Sequence, residues 1–208
     1  MGIAADLRKL AFPVVVAAAC VPAAAQDDGY PVTEVLEAFG TACSGAENTL
    51  VNLASAEAAG WERLPEGADT PISNLSRQGK AALLAQAAAE GEPAPEMIAG
   101  GEFRKDVAGR TLYLVVSGIR MDDIASRGCR LYDFDAPRGF SAEELEGWAV
   151  RAPNDREESP DGITKTTFNP GLKPGHMEMQ AYFIPPGADP VAGITLTGIG
   201  LVATAIDF

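Results

Sequence analysis

His176 is the only histidine of this 208-residue chain, and it is the first candidate for acid–base or nucleophilic chemistry. In an extended segment, side chains alternate between two faces, so a strand over residues 176–184 would place His176 beside Glu178, Gln180 and Tyr182. Glu178 would then lie close enough to orient the imidazole of a general base. The same row of polar side chains is equally typical of a strand face that contacts solvent.

A single histidine also excludes several chemistries. Mechanisms that use two imidazoles, and metal centres rich in histidine, cannot be built from this composition. A serine nucleophile could use His176 with Ser44, Ser117 or Ser159, but the Gly-x-Ser-x-Gly turn that exposes such a serine does not occur. No metal-binding, nucleotide-binding or other cofactor motif is present, so the sequence predicts no cofactor.

Carboxylate pairs are the remaining candidates for catalysis. Asp133 and Asp135 are predicted to share a strand face, close enough to bind a cation or to shift each other's pKa. The enzymatic alternative is therefore a carboxylate-dependent hydrolase acting on envelope material, with His176 and Glu178 as the residues to test first. A chain with 29 acidic residues also produces such pairs by chance.

The first 25 residues have the three parts of a secretory signal peptide. Arg8 and Lys9 are positive, residues 10–21 are apolar, and an alanine run before Gln26 supplies the small residues of a cleavage site. The apolar part, about 12 residues long, is too short to cross a bilayer as a helix. We therefore predict no transmembrane helix, export to the periplasm or the medium, and a single exported domain over residues 26–208.

Cys20 offers an alternative form of export. The small residues before Cys20 resemble a lipoprotein-processing site, after which this cysteine would be the lipid-bearing N-terminus. Such sites usually have a larger aliphatic residue where this chain has Ala17. A lipid anchor on Cys20 is therefore the alternative to a protein that is cleaved after Ala25 and released.

Removal of the signal leaves two cysteines, Cys43 and Cys129. An oxidising compartment favours their pairing, and no Cys-x-x-Cys motif indicates redox catalysis. We predict a structural disulfide between Cys43 and Cys129, with reduced buried thiols as the alternative.

The chain is strongly acidic. It has 16 basic and 29 acidic residues and a net charge of −13, and loss of Asp6, Arg8 and Lys9 with the signal leaves 14 and 28, a net charge of −14. Such a surface repels nucleic acid and anionic lipid. It would attract a basic protein, although solubility outside the cell explains the charge equally well.

Helices are predicted in the first part of the chain. Apolar residues at steps of three and four from Val35 to Ala54 predict a helix that Gly40 and Gly45 kink or divide. A second, alanine-rich helix is predicted over about residues 76–89, and Ser141 with Glu144 has the form of a capping box that opens a short helix.

Strands dominate the remainder. They are predicted over residues 111–117, from Cys129 onward, and over 163–168, 176–184 and 193–206, with the acidic run 154–162 as a loop. Helices followed by mostly adjacent strands predict an α+β domain, with the N-terminal helices packed on a largely antiparallel sheet.

Scaffold residues carry a resemblance to other exported proteins. The signal peptide, Phe39-x-x-x-Cys43, the Gly-Trp pair at 60–61 and a second cysteine in a mid-chain strand resemble small exported proteobacterial proteins of unassigned function. The resemblance covers mainly residues 35–61 and 111–134. It implies an exported, disulfide-stapled fold rather than an activity.

These observations lead to a functional expectation. We expect a noncatalytic binding protein that recognises an envelope component or another protein. The hydrolase described above is one alternative, and an acidic inhibitor of a basic cell-wall enzyme is another.

Overall fold

A computed structural model describes residues 29–45, 48–173, 175–189 and 195–207. The predicted signal peptide, its cleavage site and Cys20 lie outside these residues. The helices are α1 (Val32–Ala42), α2 (Thr49–Ala58), α3 (Pro71–Glu90) and α4 (Ala142–Ala149). The strands are β1 (Glu62–Arg63), β2 (Glu96–Val107), β3 (Arg110–Met121), β4 (Ile124–Asp133), β5 (Asp155–Glu158), β6 (Thr164–Phe168), β7 (Glu178–Ile184) and β8 (Gly198–Asp207).

The eight strands form one sheet in the order β1-β2-β3-β4-β8-β7-β6-β5, and every neighbouring pair is antiparallel. This arrangement confirms the predicted α+β class, with N-terminal helices preceding an antiparallel sheet. The first four strands lie in chain order, whereas the other four lie in reverse order, from β8 beside β4 to β5 at the far edge. None of the helices in the described ranges is both long enough and apolar enough to cross a membrane.

Helices α1, α2 and α4 cover one face of the sheet. The stripe predicted from the sequence places Leu36 and Phe39 of α1 in the core. They are buried with Leu114, Leu131 and Leu201, which come from β3, β4 and β8 and face the same side because alternate residues of a strand share a face. This helix-covered face contains the main hydrophobic core.

A disulfide joins the first helix to the middle of the sheet. Cys43 directly follows α1 and Cys129 lies in β4, and their sulfur atoms are 2.01 Å apart. Both residues are buried in the core. The predicted Cys43–Cys129 disulfide is confirmed.

The predicted long helix is divided at Gly45. A Cβ atom on Gly45 would lie 2.4 Å from Cγ1 of Val51, so only glycine fits at this turn. Asn48 then caps α2, its side chain accepting a hydrogen bond from the backbone N–H of Leu50 at 2.9 Å. Gly40, the other predicted break, lies inside α1.

Helix α3 packs on the opposite face of the sheet. Its Ser73 hydroxyl donates a 2.5 Å hydrogen bond to Glu102 of β2, and Ile72 is fully buried outside the main core. Glu102 lies on the face opposite to its neighbour Phe103, which belongs to the main core. The sheet is therefore covered on both faces near β2 and β3, whereas no described helix covers the second face of β6, β7 and β8.

The acidic run 154–162 is only partly a loop, contrary to the prediction. Residues Asp155–Glu158 form edge strand β5, in which Arg156 pairs with Thr166 of β6. All four β5 residues are exposed, and their sequence, Asp-Arg-Glu-Glu, has no alternation of apolar and polar residues. Pairing with β6, rather than local pattern, makes this segment a strand.

Candidate functional site

His176 lies in the turn before β7 and is only 6% exposed. Its backbone N–H donates to Lys173 at 3.0 Å, and its carbonyl accepts from Gly171 at 3.0 Å. Neither ring nitrogen has a hydrogen-bond partner among the described residues. Burial lowers the pKa of the imidazole, the nearby Cys43 backbone partly offsets this effect, and the Lys173 charge adds to it. The geometry describes a neutral histidine packed near the end of α1.

Glu178, Gln180 and Tyr182 form a connected row on the face of β7 that no described helix covers. Gln180 donates from Nε2 to Glu178 Oε1, and the Tyr182 hydroxyl donates to Gln180 Oε1. His176 does not join this row, because β7 begins at Glu178, two residues later than predicted, and His176 lies in the preceding turn. Within the described ranges, no hydrogen bond joins His176 to Glu178 or to a serine.

The predicted pair Asp133 and Asp135 is not arranged as a cation site. Asp133 is 1% exposed, and its two oxygens accept hydrogen bonds from Arg110 at 2.9 and 3.0 Å and from the Tyr30 hydroxyl at 3.1 Å. Asp135 lies in the exposed turn after β4 and donates its backbone N–H to Asp133. These contacts occupy the Asp133 carboxylate and identify it as part of the scaffold.

This buried ion pair also fixes the start of the described chain. The Tyr30 ring lies between two guanidinium groups, 5.7 Å from that of Arg110 and 5.9 Å from that of Arg138. Burial and the neighbouring Asp133 carboxylate raise the Tyr30 pKa, so its hydroxyl remains protonated. No group of three or more histidine, cysteine, aspartate or glutamate side chains suited to a metal ion occurs in the described part of the chain.

Aromatic rings adjoin this polar row on the same face of the sheet. Tyr132 of β4 and Tyr182 of β7 both pair with Gly200 of β8, which lies between them. A Cβ atom on Gly200 would be 3.4 Å from Cε1 of Tyr132, an ordinary van der Waals contact, so that ring lies directly over the strand. Phe134 stacks on Tyr132 with 5.8 Å between ring centroids, and Tyr113 lies 5.5 Å from Phe134.

A guanidinium group lies on the same face beyond the rings. Arg130 folds back over Gly128 and donates to the Ser117 hydroxyl at 2.8 Å. Burial raises the pKa of Tyr132, and burial together with the Glu178 carboxylate raises that of Tyr182. Both hydroxyls therefore remain protonated at neutral pH. The surface presents aromatic rings beside hydrogen-bond donors and acceptors, a combination that suits noncovalent ligand binding.

We call this surface the open face and define it by Tyr132, Tyr182, Gln180, Glu178 and Arg130. The alternation within residues 178–182 predicted its β7 part. Its β4 part could not be predicted, because Tyr132 is 50 positions away from Tyr182 in the sequence and the two meet only through the position of β8.

A second surface is a groove of about 460 Å³ between α1 and α4. It is lined by Glu37, Gly40, Thr41, Trp148, Ala149, Val150, Leu172 and Lys173. A Cβ atom on Gly40 would lie 3.3 Å from Cζ2 of Trp148, so this glycine allows the indole to pack closely against α1. We call this surface the α1–α4 groove. The sequence did not predict it.

Comparison with protein-family models, curated proteins and solved structures finds no match to this chain. The resemblance to exported proteobacterial proteins stays a prediction.

Proposed function

We propose that this chain is a noncatalytic, exported binding protein and that the open face is its ligand surface. The observation that carries the proposal is the connected row Glu178–Gln180–Tyr182 beside the Tyr132 ring, on a part of the sheet that no described helix covers. Contact with solvent alone does not account for the aromatic rings that adjoin this row. Stacked rings beside polar groups suit a ligand with both apolar and hydroxylated faces.

The contacts of the candidate catalytic residues favour binding over hydrolysis. A general base needs a hydrogen-bond path to its substrate, but His176 is buried with neither nitrogen paired among the described residues. Glu178 is hydrogen-bonded to Gln180, which holds its carboxylate within the row. His176 is therefore poorly placed to act as a general base, and Glu178 is held as a fixed group that can contact a ligand.

An envelope glycan fits this surface. The C–H faces of a sugar ring pack on aromatic rings, and its hydroxyls exchange hydrogen bonds with carboxylate, amide and guanidinium groups. The Tyr132 and Tyr182 rings supply the first kind of contact, whereas Gln180, Glu178 and Arg130 supply the second. The Cys43–Cys129 disulfide supports a location in an oxidising compartment, where such a ligand is available.

A titration tests this proposal. Soluble glycan fragments released from peptidoglycan are added to the protein over residues 26–208, and the chemical shifts of its tyrosine rings are followed by NMR. We expect saturable shifts at Tyr132 and Tyr182. Replacement Gln180→Ala should weaken binding about fivefold, the effect of one lost hydrogen bond. Gln86→Ala, at an exposed glutamine of α3, is the matched control and should bind as the wild type does.

The same incubations separate binding from hydrolysis. New reducing ends that appear with the wild type, and that disappear with Glu178→Ala, would overturn the noncatalytic proposal in favour of a carboxylate-dependent hydrolase. Equal affinities of the Gln180→Ala variant and the wild type, or an absence of shifts, would overturn the assignment of the open face. The expected result is binding with no new reducing ends.

Export itself is tested by the intact mass of the protein recovered from cells. Cleavage after Ala25 leaves residues 26–208 at their sequence mass, whereas processing at Cys20 leaves a longer chain that carries lipid. We propose the first form. A lipid-bearing species would replace it with an anchored protein that presents the same two surfaces.

A further inference from the structure

Arg130 is a half-buried positive charge on the open face that forms no ion pair within the described part of the chain. Its Nη1 atom donates to the Ser117 hydroxyl at 2.8 Å. A guanidinium group has five N–H donors, so Arg130 keeps donors that a ligand can use. Several other arginines bind carboxylates of the chain, namely Arg63, Arg104, Arg110, Arg120 and Arg138.

Gly128 sets the position of the Arg130 guanidinium. A Cβ atom on Gly128 would lie 2.9 Å from Nη2, 3.0 Å from Cζ and 3.1 Å from Nη1 of Arg130, so the whole group lies over this glycine. Any larger residue at position 128 would displace it. The Arg130 charge partly offsets the burial that raises the pKa of Tyr132, which places the guanidinium near that ring.

Strand β8 forms a floor of small side chains between β4 and β7. Its residues on the open face are Gly200, Val202 and Thr204. The register places Tyr132 and Tyr182 beside Gly200, Arg130 and Gln180 beside Val202, and Gly128 and Glu178 beside Thr204. The backbones of β4 and β7 are two strand spacings apart, or about 10 Å. A ligand that lies along β8 therefore contacts both neighbouring strands.

The two sides of this floor carry opposite charges. The guanidinium over Gly128 is separated from Glu178 by Thr204 of β8, and the two charges do not pair. Glu178 accepts a hydrogen bond from Gln180, and Glu102, on the same face of β2, accepts one from Ser73 at 2.5 Å. These carboxylates are therefore engaged with other groups, and Arg130 is left to bind an anion from outside the chain.

We infer that the ligand of the open face is an acidic sugar chain whose carboxylate binds the Arg130 guanidinium. This inference rests on the proposed function and adds a charge and an orientation to it. Arginine matches a planar carboxylate with two parallel N–H donors, whereas a neutral sugar would cover this half-buried charge without neutralising it. The carboxylate lies on the β4 side of the floor, and sugar hydroxyls donate to Glu178 on the β7 side.

A pair of matched sugars tests the inference. The probe is a tetrasaccharide in which N-acetylglucosamine alternates with glucuronic acid, and the control is the same compound with its carboxylates converted to methyl esters. Binding to the protein over residues 26–208 is followed at the tyrosine rings by NMR. We expect the acid to bind about tenfold more tightly than the ester, the effect of a charge-assisted hydrogen bond. Because the whole protein is negatively charged, this preference requires a local positive group.

Variants assign the preference to Arg130. Arg130→Gln should bind the acid and the ester with equal affinity, and its affinity for the ester reports whether the surface is intact. Gly128→Ala keeps every charge but displaces the guanidinium, so it should also lower the preference. Arg151→Gln is the matched control, because Arg151 lies 5.4 Å from the ring centroid of the core residue Phe168 on the helix-covered side. It should keep the full preference.

The outcomes separate this inference from the proposed function. Equal affinity of the wild type for acid and ester, or a preference that survives in Arg130→Gln, would overturn the role of the carboxylate and leave glycan binding intact. Tyrosine shifts with the peptidoglycan fragments but with neither tetrasaccharide would also overturn the inference alone. An absence of shifts with all of these compounds would overturn both proposals.

Discussion

Cys43, the residue after α1, is covalently joined to Cys129 in β4, and their Cα atoms are 5.5 Å apart. The bond links positions 86 residues apart, so it strongly restricts the unfolded chain. Replacing both cysteines by alanine should lower the free energy of unfolding by about 4 to 5 kcal/mol. Urea denaturation of the wild type and the double variant measures this difference. A loss below about 1 kcal/mol would mean that chain restriction is not the source of the stabilisation.

The buried imidazole of His176 predicts a loss of stability in mild acid. Burial lowers its pKa in the folded protein, whereas in the unfolded chain the pKa is about 6.5. Stability that is present above this value is lost as the pH falls below it, because only the unfolded state takes up the proton readily. Unfolding free energies measured from pH 7.5 to 5 should fall less in His176→Leu than in the wild type.

The Glu144 carboxylate does not obscure this comparison. Although burial opposes the shift, hydrogen bonds from Arg138 and the Ser141 backbone lower the pKa of Glu144. Its contribution to stability is therefore lost only as the pH falls below about 4.3, the ordinary glutamate value. Parallel pH profiles for the wild type and His176→Leu between pH 7.5 and 5 would refute the assignment of the acid sensitivity to this side chain.

Removal of the Asp133 charge should destabilise the fold. Asp133→Asn leaves the Arg110 guanidinium without its buried counter-charge and should cost about 3 kcal/mol, the lower end for such pairs because Arg110 retains some solvent contact. Arg110→Met combined with Asp133→Leu should cost less than Asp133→Asn alone. Glu62→Gln, at the exposed ion pair with Arg104, is the control and should leave thermal unfolding unchanged. Similar losses in both single variants would contradict this reading.

Val150 should be a position where glycine stabilises the fold. Val150→Gly relieves the left-handed backbone at some cost in chain entropy, and a net gain of about 0.5 to 1 kcal/mol is expected. The same change at Val51, inside α2, should destabilise by about 0.5 kcal/mol, the difference in helix propensity between valine and glycine. Thermal unfolding of the two variants measures both effects. A less stable Val150→Gly variant would show that its methyl groups support the fold.

Local rules predicted the helical part of this fold well. The apolar stripe of α1 is visible because its spacing matches one helix face, and the capping box at Ser141 and Glu144 forms with both hydrogen bonds, of 2.7 and 3.1 Å. Each of these features involves residues three or four positions apart. Nothing distant in the sequence is needed to recognise them.

Strands that depend on distant partners were harder to predict. In β2, the pairing with β3 shifts register between Ile98 and Gly101, which breaks the alternation that would indicate a strand. A Cβ atom on Gly100 would lie 1.9 Å from the carbonyl oxygen of Val116, so the glycine serves contact with β3. The relevant information therefore lies in a neighbouring strand rather than in the segment itself.

The two surfaces show the same division. Alternation predicted that Glu178, Gln180 and Tyr182 share a face, but it extended the row to His176 because a turn is not visible in a pattern of period two. The α1–α4 groove escaped prediction because Val150 gives no glycine signal at the end of α4. Its left-handed backbone is evident only in three dimensions.

The position of β8 has a consequence for how the protein is made. Strands β2, β3 and β4 can pair with one another as soon as they emerge, and so can β5, β6 and β7, but β8 alone connects the two sets. Because β8 follows the other described strands along the chain, the two half-sheets cannot join until this last strand is available. The sheet is therefore completed last, and a product truncated before Gly198 would leave β4 and β7 as unprotected edges, open to proteolysis and aggregation.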